Sequence, residues 1–138
     1  MPPSFNHRLR VRYNECDPQG VVFNAEYFVY FDVILTEFFR EKIGPPGSTS
    51  RRGTDLVVAA AAATYLEAAG FDDELELKLE VACLGTTSLA TRIVVTHGGK
   101  TVAEGEMRHV FVDPATGAKR PIPQAVRAAL ERFVADSG

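Results

Sequence analysis

The chain has 138 residues, of which 46% are hydrophobic and 24% are charged, and this composition predicts one globular domain over residues 1–138. The formal net charge is −3 and no Lys- or Arg-rich block occurs, so nucleic acid is not an expected partner. The two cysteines lack metal-like spacing, the N-terminus lacks a secretory apolar region and no apolar run could span a bilayer, so we expect a cytoplasmic protein with free thiols and no membrane partner.

The first predicted element is a strand over residues 7–14. Leu9, Val11 and Tyr13 alternate there with polar or charged residues, which is typical of a half-buried strand with these three on the inner face. Residues 17–20 follow, with the sequence Asp-Pro-Gln-Gly. Their Asp, Pro and Gly stand where a type I turn prefers them, so this segment predicts a turn.

A long helix is predicted from Asn24 to about Lys42, because apolar residues recur there at three- and four-residue steps. Asn24 is a suitable N-cap, and Gly44 followed by two prolines ends the pattern. The apolar stripe is expected to be buried along most of its length and consists of Phe28, Phe31, Leu35, Phe38 and Phe39. A polar, flexible loop is predicted over residues 45–54.

Residues 56–67 allow two interpretations. Five consecutive alanines favour a helix by intrinsic propensity. A continuous run of small apolar residues is equally compatible with a strand that is buried on both faces. Periodicity alone leaves both interpretations open.

Three strands then follow in succession. Residues 74–81 alternate charged and apolar residues without interruption, and residues 89–96 and 101–112 have β-strand composition with a Gly-Gly hairpin turn between them. Gly105 is expected at a bulge or at a close approach of the backbone. Pro123 opens a short amphipathic helix. Hairpin-linked strands around one apolar helix predict an α+β fold with an antiparallel sheet.

The segment from Val11 to Tyr27 resembles the signature of the 4-hydroxybenzoyl-CoA thioesterase family. It has a strand ending in an aromatic residue, an acidic residue, Asp-x-x-Gly followed by hydrophobic residues, and a helix with an early Tyr. Weaker similarity covers roughly residues 8–133. The resemblance implies a hotdog fold, in which an antiparallel sheet of five to six strands wraps around one long central helix, with a short C-terminal helix. It also implies that residues 56–67 form a strand.

The resemblance further implies an acyl-CoA thioesterase with Asp17 as catalytic residue, acting as general base on water or as nucleophile. Taken alone, an Asp before Pro in such a turn often only accepts a backbone hydrogen bond. Asn24 either simply caps the helix, or its amide also lines the site as a second catalytic residue, where the resemblance implies that it orients water or the acyl group. The first backbone N–H groups of the helix are expected to polarise the thioester carbonyl.

Substrate-binding candidates flank this turn and the strand ends, although turn geometry or packing explains several of them equally well. They are Gly20, Val21, Val22, Phe23, Tyr27, Tyr65, Thr86, Thr87 and Ser88. The last three could hold the pantetheine or phosphate end of CoA through hydroxyl and N–H groups. Candidate phosphate partners, most of them expected to be solvated surface charges, are Arg51, Arg52, Arg92, Arg108 and Arg120.

No metal site is predicted, because no cluster of His, Cys and acidic residues has ligand spacing. CoA is part of the substrate, so no cofactor is expected. Hotdog hydratases and dehydratases typically carry a His five residues after the catalytic Asp. Val22 occupies that position here, which favours hydrolysis over dehydration.

The alternative function is a non-catalytic acyl-CoA-binding or regulatory module, since a fold does not guarantee chemistry. The expected small-molecule partner is an acyl-CoA or an acyl-carrier thioester. A sheet that wraps a helix leaves strand edges to be covered, and the resemblance implies association of subunits through them, so we expect a homodimer or homotetramer.

Overall fold

The computed structural model describes residues 3–45 and 53–134, so most of the predicted loop at 45–54, with Arg51 and Arg52, lies outside the described residues. The elements are, in chain order, β1 (Phe5–Arg10), α1 (Glu26–Lys42), β2 (Asp55–Tyr65), β3 (Glu74–Leu84), β4 (Ser88–His97), β5 (Lys100–Val112) and α2 (Gln124–Glu131). A short 3₁₀ turn, Tyr13–Glu15, lies between β1 and α1.

The described strands form one antiparallel sheet in the spatial order β1-β3-β4-β5-β2. The alternation in β3 places its leucines on the face that α1 covers, where Leu75, Leu77 and Leu79 are 1% exposed or less. Phe31 and Phe38 of α1 are fully buried against them. Because burial of such a side chain contributes ~1.5–3 kcal/mol, this layer forms the main core. The predicted α+β architecture is confirmed.

Gly105 of β5 lies at a close approach between the sheet and α1. A Cβ atom at this position would lie 2.4 Å from two ring carbons of Phe31. Gly105 pairs in register with Ala63 of β2 and Ile93 of β4, and the register shifts occur elsewhere. Position 105 therefore requires glycine because Phe31 lies so close to the strand, and not because the strand has a bulge there.

β2 is a strand, which confirms the strand that the family resemblance implies, and the helix that the alanines favour by propensity does not form. It pairs with β5 from Asp55 to Tyr65, and these hydrogen bonds outweigh the weak intrinsic preference of alanine. β2 is also the edge of the sheet, and all its residues except Leu56 and Ala63 are exposed. The burial on both faces that its composition suggests is therefore not reached within one chain.

The strand predicted over residues 7–14 ends earlier, at Arg10. The N–H of Val11 donates to the carbonyl of Asp73 (2.9 Å), and its own carbonyl accepts the N–H of Asp72 (3.0 Å). These bonds of Val11 extend the pairing to the residues before β3, and the 3₁₀ turn Tyr13–Glu15 then redirects the chain, so Tyr13 is 80% exposed instead of sharing the inner face. Their partners are far away in the sequence, so the alternation could not reveal them.

The start of α1 also differs from the prediction. Ala25 is the N-cap, so the expectation that Asn24 caps the helix is wrong. The N–H groups of Glu26 and Tyr27 donate to the carbonyls of Phe23 and Asn24, at 2.9 and 3.3 Å. A tight turn thus precedes the helix and moves its first residue beyond Asn24.

Candidate functional site

One loop, residues 15–23, carries Asp17. The N–H of Asp17 donates to the carbonyl of Val21 (2.8 Å), and the N–H of Gly20 donates to the carbonyl of Asp17 (2.9 Å). Gly20 has φ +82°, a conformation that glycine adopts without steric cost. The turn predicted at 17–20 is therefore confirmed, and Gly20 serves its geometry.

The stretch before β3 fixes this loop to the sheet. The N–H of Val22 donates to the carbonyl of Ala69 (2.8 Å), and Val21 pairs with Gly70. The carboxylate of Asp73 accepts the N–H of Gly70 at 2.9 Å. A Cβ on Gly70 would lie 3.2 Å from a carbonyl of the loop, so the two segments are in close contact.

The two carboxylate oxygens of Asp17 are engaged differently. Oδ1 accepts the N–H groups of Gln19 and Val21, at 2.9 and 3.4 Å. Asp17 therefore does stabilise its own turn, as any aspartate in an Asp-Pro turn can. Oδ2 has no hydrogen-bond donor among the described residues, and the residue is only half-buried. One oxygen is thus left without a protein donor within the described chain and keeps its lone pairs for a proton or a substrate carbon.

Backbone donors are available next to the start of α1. Within the described chain, the N–H groups of Asn24 and Ala25 have no hydrogen-bond acceptor. Those of Glu26, Tyr27 and Phe28 donate to carbonyls three residues back, so the expectation that the first N–H groups of the helix are free fails for these three. The two N–H groups without an acceptor, those of Asn24 and Ala25, directly precede the helix, where its dipole still favours developing negative charge.

A cleft of about 310 Å³ opens beside the loop and the start of α1. The predicted site residues Val21, Val22, Asn24, Tyr27 and Tyr65 line it, together with residues 66–69. A larger groove of about 530 Å³ lies on the face of the sheet away from α1, and no residue of the Asp17 loop lines it. Val21 and Val22 of the Asp17 loop line the smaller cleft but not the larger groove, and Asp17 itself lines neither, so the smaller cleft beside the loop is the candidate active site.

Two tyrosines form a wall of this cleft. The ring centroids of Tyr27 and Tyr65 are 5.6 Å apart, and the Tyr65 hydroxyl donates to the carbonyl of Asn24 at 3.0 Å. Burial, followed by the nearby charges of Tyr65 and Asp73, raises the pKa of Tyr27. Tyr27 therefore remains protonated near neutral pH and contributes an uncharged wall to the cleft.

Phe23 lies on the loop but does not line the cleft. It is 49% exposed, next to the free N–H of Asn24. The neighbouring Val22, which is also part of the loop, is buried. Of the two, Phe23 presents the larger apolar surface to solvent and to an incoming substrate.

The predicted cluster of Thr86, Thr87 and Ser88 lies at the opposite end of the sheet from Asp17. Arg10 and the Asp17 loop adjoin the start of β3, whereas these residues follow its end. β3 has 11 residues, which at ~3.3 Å per residue span ~35 Å. One chain therefore does not bring these residues to the cleft.

The described arginines among the phosphate candidates lie on the sheet and near its far end. Arg92 pairs with Glu104 across 3.6 Å, and Arg120 pairs with Asp113 across 3.2 Å. The N–H of Arg120 donates to the carbonyl of Phe111, which places it at the same end as residues 86–88. None of these arginines lines the cleft.

Cys16 is adjacent to Asp17, but its chemistry does not favour a nucleophilic role. Desolvation, followed by the charge of Asp17, raises the pKa of the Cys16 thiol. The thiolate, which is the nucleophilic form, is thus disfavoured.

Two absences bear on the kind of site. Within residues 3–45 and 53–134, no three side chains of His, Cys, Asp or Glu lie together so that they could hold a metal ion. In the same ranges, no helix is long and apolar enough to cross a membrane.

Sequence reasoning missed two features of the site. One is the free N–H of Ala25, which only the turn before α1 reveals. The other is the burial of Glu15, which is 5% exposed. The acidic residue of the family signature was the available signal for Glu15, but a signature does not indicate burial.

Comparisons with known proteins agree with this architecture. The profile of the thioesterase-like superfamily matches residues 11–130. The acyl-CoA thioester hydrolase YbgC of an Escherichia coli strain is 28% identical over 129 residues, which cover 93% of this chain and 96% of the relative. The crystal structure of a hypothetical protein from Aquifex aeolicus is similar with a TM-score of 0.85 at 29% identity, covering 91% of this chain and 98% of that chain.

A predicted thioesterase from Bacillus stearothermophilus has a TM-score of 0.85 at 24% identity, covering 99% of this chain and 100% of that chain, and it supports the fold alone. The resemblance noted in the sequence is confirmed. The long match of the family profile and the shared sheet-around-helix architecture show that this chain belongs to the thioesterase-like superfamily, with the hotdog fold.

Proposed function

We propose that this chain is an acyl-CoA thioesterase, which hydrolyses its substrate to a free acid and CoA. Membership of the superfamily and the activity in the name of the E. coli relative support the reaction class. One observation carries the proposal. Beside the cleft that Val21, Val22 and Asn24 line, Oδ2 of Asp17 has no hydrogen-bond donor and the N–H groups of Asn24 and Ala25 have no acceptor within the described chain. Thioester hydrolysis needs such a base and such donors.

In the proposed reaction, Asp17 removes a proton from a water molecule whose oxygen attacks the acyl carbon. The N–H groups of Asn24 and Ala25 donate to the carbonyl oxygen as negative charge develops on it. The tetrahedral intermediate then expels CoA as a thiolate, which takes the proton from the Asp17 carboxyl group. A general base of this kind contributes ~10²–10⁴-fold to the rate.

Direct attack by Asp17 is the second route with the same residue. Its Oδ2 would bond to the acyl carbon, the C–S bond would break, and the CoA thiolate would leave with a proton from solvent. Water then hydrolyses the mixed anhydride and restores the carboxylate. Both routes need no metal and no cofactor, since CoA is part of the substrate. The proposed chemistry is the same for an acyl-CoA and for an acyl-carrier thioester.

We infer further that the working unit is a homodimer built on β2, with a tetramer as a possible larger assembly. Val57 and Val58 of this edge strand are 45% and 54% exposed. Exposed apolar edge strands pair readily with another chain. Pairing with a second β2 would bury them and complete the sheet.

The same pairing accounts for the distant substrate-binding candidates. In an antiparallel pair of identical strands, the Asp55 end of one lies beside the Tyr65 end of the other. Asp55 pairs with β5 near residues 86–88, and Arg120 donates to the carbonyl of Gly53 at 2.8 Å. Residues 86–88 and Arg120 of the partner would thus approach the cleft and could hold the CoA end of the substrate.

The oligomer is tested by Val58→Lys, which places a charge on the edge strand, beside the matched variant Val29→Lys. Val29 is 49% exposed on α1, so it offers a similar surface valine away from β2. Light scattering after size exclusion should give a dimer or larger for the native chain and Val29→Lys, and a monomer for Val58→Lys. A native monomer would contradict the inference.

The function is tested by thiol release from short, long, branched and aromatic acyl-CoAs. The account predicts turnover of at least one ester, unaffected by a metal chelator. Binding of the esters without turnover would instead support a non-catalytic acyl-CoA-binding module. We place the reaction in the cytoplasm, because Cys16 and Cys83 are both free thiols, as a reducing compartment allows.

A further inference from the structure

The loop that carries Asp17 begins at a buried carboxylate, that of Glu15. Glu15 is 5% exposed, and it is the sole buried acidic residue within the described ranges. Removing an ion from water has an effective cost of several kcal/mol. A carboxylate in this position therefore requires donors that compensate its burial.

Donors from two residues surround both oxygens of Glu15. Oε1 accepts the backbone N–H of Arg12 at 2.8 Å and the hydroxyl of Tyr30 at 2.9 Å. Oε2 accepts Nε and Nη2 of Arg12 at 3.0 and 2.9 Å. Charge-assisted bonds of this kind are the strong ones in proteins. Burial alone would raise the pKa of Glu15, but these hydrogen bonds together lower it below its usual value.

These contacts join three segments of the chain. Arg12 follows β1, and Tyr30 lies in the second turn of α1. The carbonyl of Glu15 accepts the N–H of Phe23 at 3.0 Å, where the loop returns towards the helix. Glu15 therefore joins the two ends of the loop, two residues before Asp17, and connects them to α1 through Tyr30.

We propose that Glu15 is a positioning residue, which through Arg12 and Tyr30 holds Asp17 at a fixed place relative to the backbone donors before α1. The inference rests on the role proposed for Asp17. A displacement of ~1 Å of a catalytic group can reduce the rate ~10²-fold, so the effect of Glu15 should appear in kcat.

The contacts of Glu15 are separate from those that hold the helix in the core. α1 is fixed to the sheet mainly by Phe31 and Phe38, which are fully buried. Loss of the Glu15 bonds should thus shift the loop against the helix while the helix itself stays in place.

The test compares two substitutions with a matched core variant. Glu15→Gln keeps the size of the side chain but removes the charge and turns an NH₂ group towards donors. Tyr30→Phe removes one donor and leaves the ring. The control is Phe133→Leu, since Phe133 is buried against Phe38 with ring centroids 4.9 Å apart, far along α1 from the loop.

We expect Glu15→Gln to lower kcat ~10–100-fold in folded protein, with KM changed less than about twofold. Tyr30→Phe should act in the same direction and more weakly, and Phe133→Leu should lower stability without this loss of kcat. In the Asp17→Asn background, Glu15→Gln should change kcat less than about twofold, because it acts through Asp17. Equal losses in both backgrounds would overturn the inference.

Amide hydrogen exchange gives a readout that does not depend on turnover. The N–H groups of Asp17 and Phe23 are both bonded within the loop. Their exchange should accelerate in Glu15→Gln and stay unchanged in Phe133→Leu. Unchanged exchange in Glu15→Gln would overturn the inference, whereas accelerated exchange with full activity of Asp17→Asn would instead remove Asp17 from the proposed function.

Discussion

The contact between Gly105 and Phe31 gives a prediction whose size follows from the geometry. The Cβ atom of Gly105→Ala would lie 2.4 Å from Cε2 and Cζ of Phe31 and 2.9 Å from Cδ2. Non-bonded carbons prefer ~3.5–4.0 Å, so either α1 or the strand must move by ~1 Å. Phe31 is fully buried, so its ring can move only by displacing neighbouring core side chains.

Overpacking of a core typically costs ~1–3 kcal/mol. Replacing glycine by alanine within a strand recovers ~0.5–1 kcal/mol of that, because the unfolded chain loses less freedom. The difference of these two terms spans ~0–2.5 kcal/mol, and because Cβ would lie 2.4 Å from a fully buried ring, we expect Gly105→Ala to lower the free energy of unfolding by ~1–2 kcal/mol. Urea unfolding followed by far-ultraviolet circular dichroism measures this difference.

A second background isolates the cause. Phe31→Leu removes the ring that Cβ would meet, so in that background Gly105→Ala should be neutral or stabilising. The coupling between the two substitutions should reach ~1 kcal/mol or more. An equal cost of Gly105→Ala in both backgrounds would refute the explanation by close approach.

Three further predictions concern single side chains. Burial raises the pKa of Glu15, but hydrogen bonds from Arg12 and Tyr30 outweigh this effect and lower the pKa below its usual value. The contribution of Glu15 to stability is therefore present above its pKa in the unfolded chain, and it is lost as the pH falls through its pKa in the folded chain. Urea titrations at decreasing pH should therefore show a shallower acid loss for Glu15→Gln than for the native chain, and parallel curves would contradict this. The Thr91 hydroxyl is buried without a partner in the described chain, so Thr91→Val should stabilise by ~1 kcal/mol, and a lower urea midpoint would contradict this. Tyr65→Phe removes the exposed hydrogen bond from the Tyr65 hydroxyl to the carbonyl of Asn24, so thermal unfolding should show that the free energy of unfolding falls by at most ~1 kcal/mol. A larger decrease would show that the hydroxyl has another role.

The sequence predicts best those elements whose hydrophobic period matches one packed face. The alternation in β3 and the phenylalanine stripe in α1 are such patterns, and both match the structure within a few residues. The hairpin of β4 and β5 and the C-terminal helix also match. In these segments, local preference and tertiary packing favour the same conformation.

Non-local pairing explains what the sequence did not reveal. The alanines of β2 favour a helix, and only hydrogen bonds to β5 make them a strand. Tyr13 leaves the inner face because a 3₁₀ turn begins at this residue, and Tyr30 helps to hold that turn through Glu15. Neither β5 nor Tyr30 lies within the short stretch of neighbouring residues from which hydrophobic periodicity is read.

The candidate site was predictable in part. The family signature indicates Asp17 and the region up to Tyr27, and the structure places Val21, Val22, Asn24 and Tyr27 of that region around one cleft beside the Asp17 loop. It does not indicate that Thr86 lies at the far end of the sheet, because the position of a loop along a strand depends on the whole topology. The buried state of Glu15 also depends on donors supplied by two other segments.

The most direct test of the account is the kcat of Asp17→Asn on the best acyl-CoA substrate, beside Asp72→Asn. Asp72 carries the same chemical change on a nearby exposed turn, and its φ of +71° is one that asparagine tolerates. The account predicts that Asp17→Asn lowers kcat by at least ~100-fold in folded protein, while Asp72→Asn changes it less than about twofold. Retention of activity by folded Asp17→Asn would contradict the assignment of the chemistry to this carboxylate.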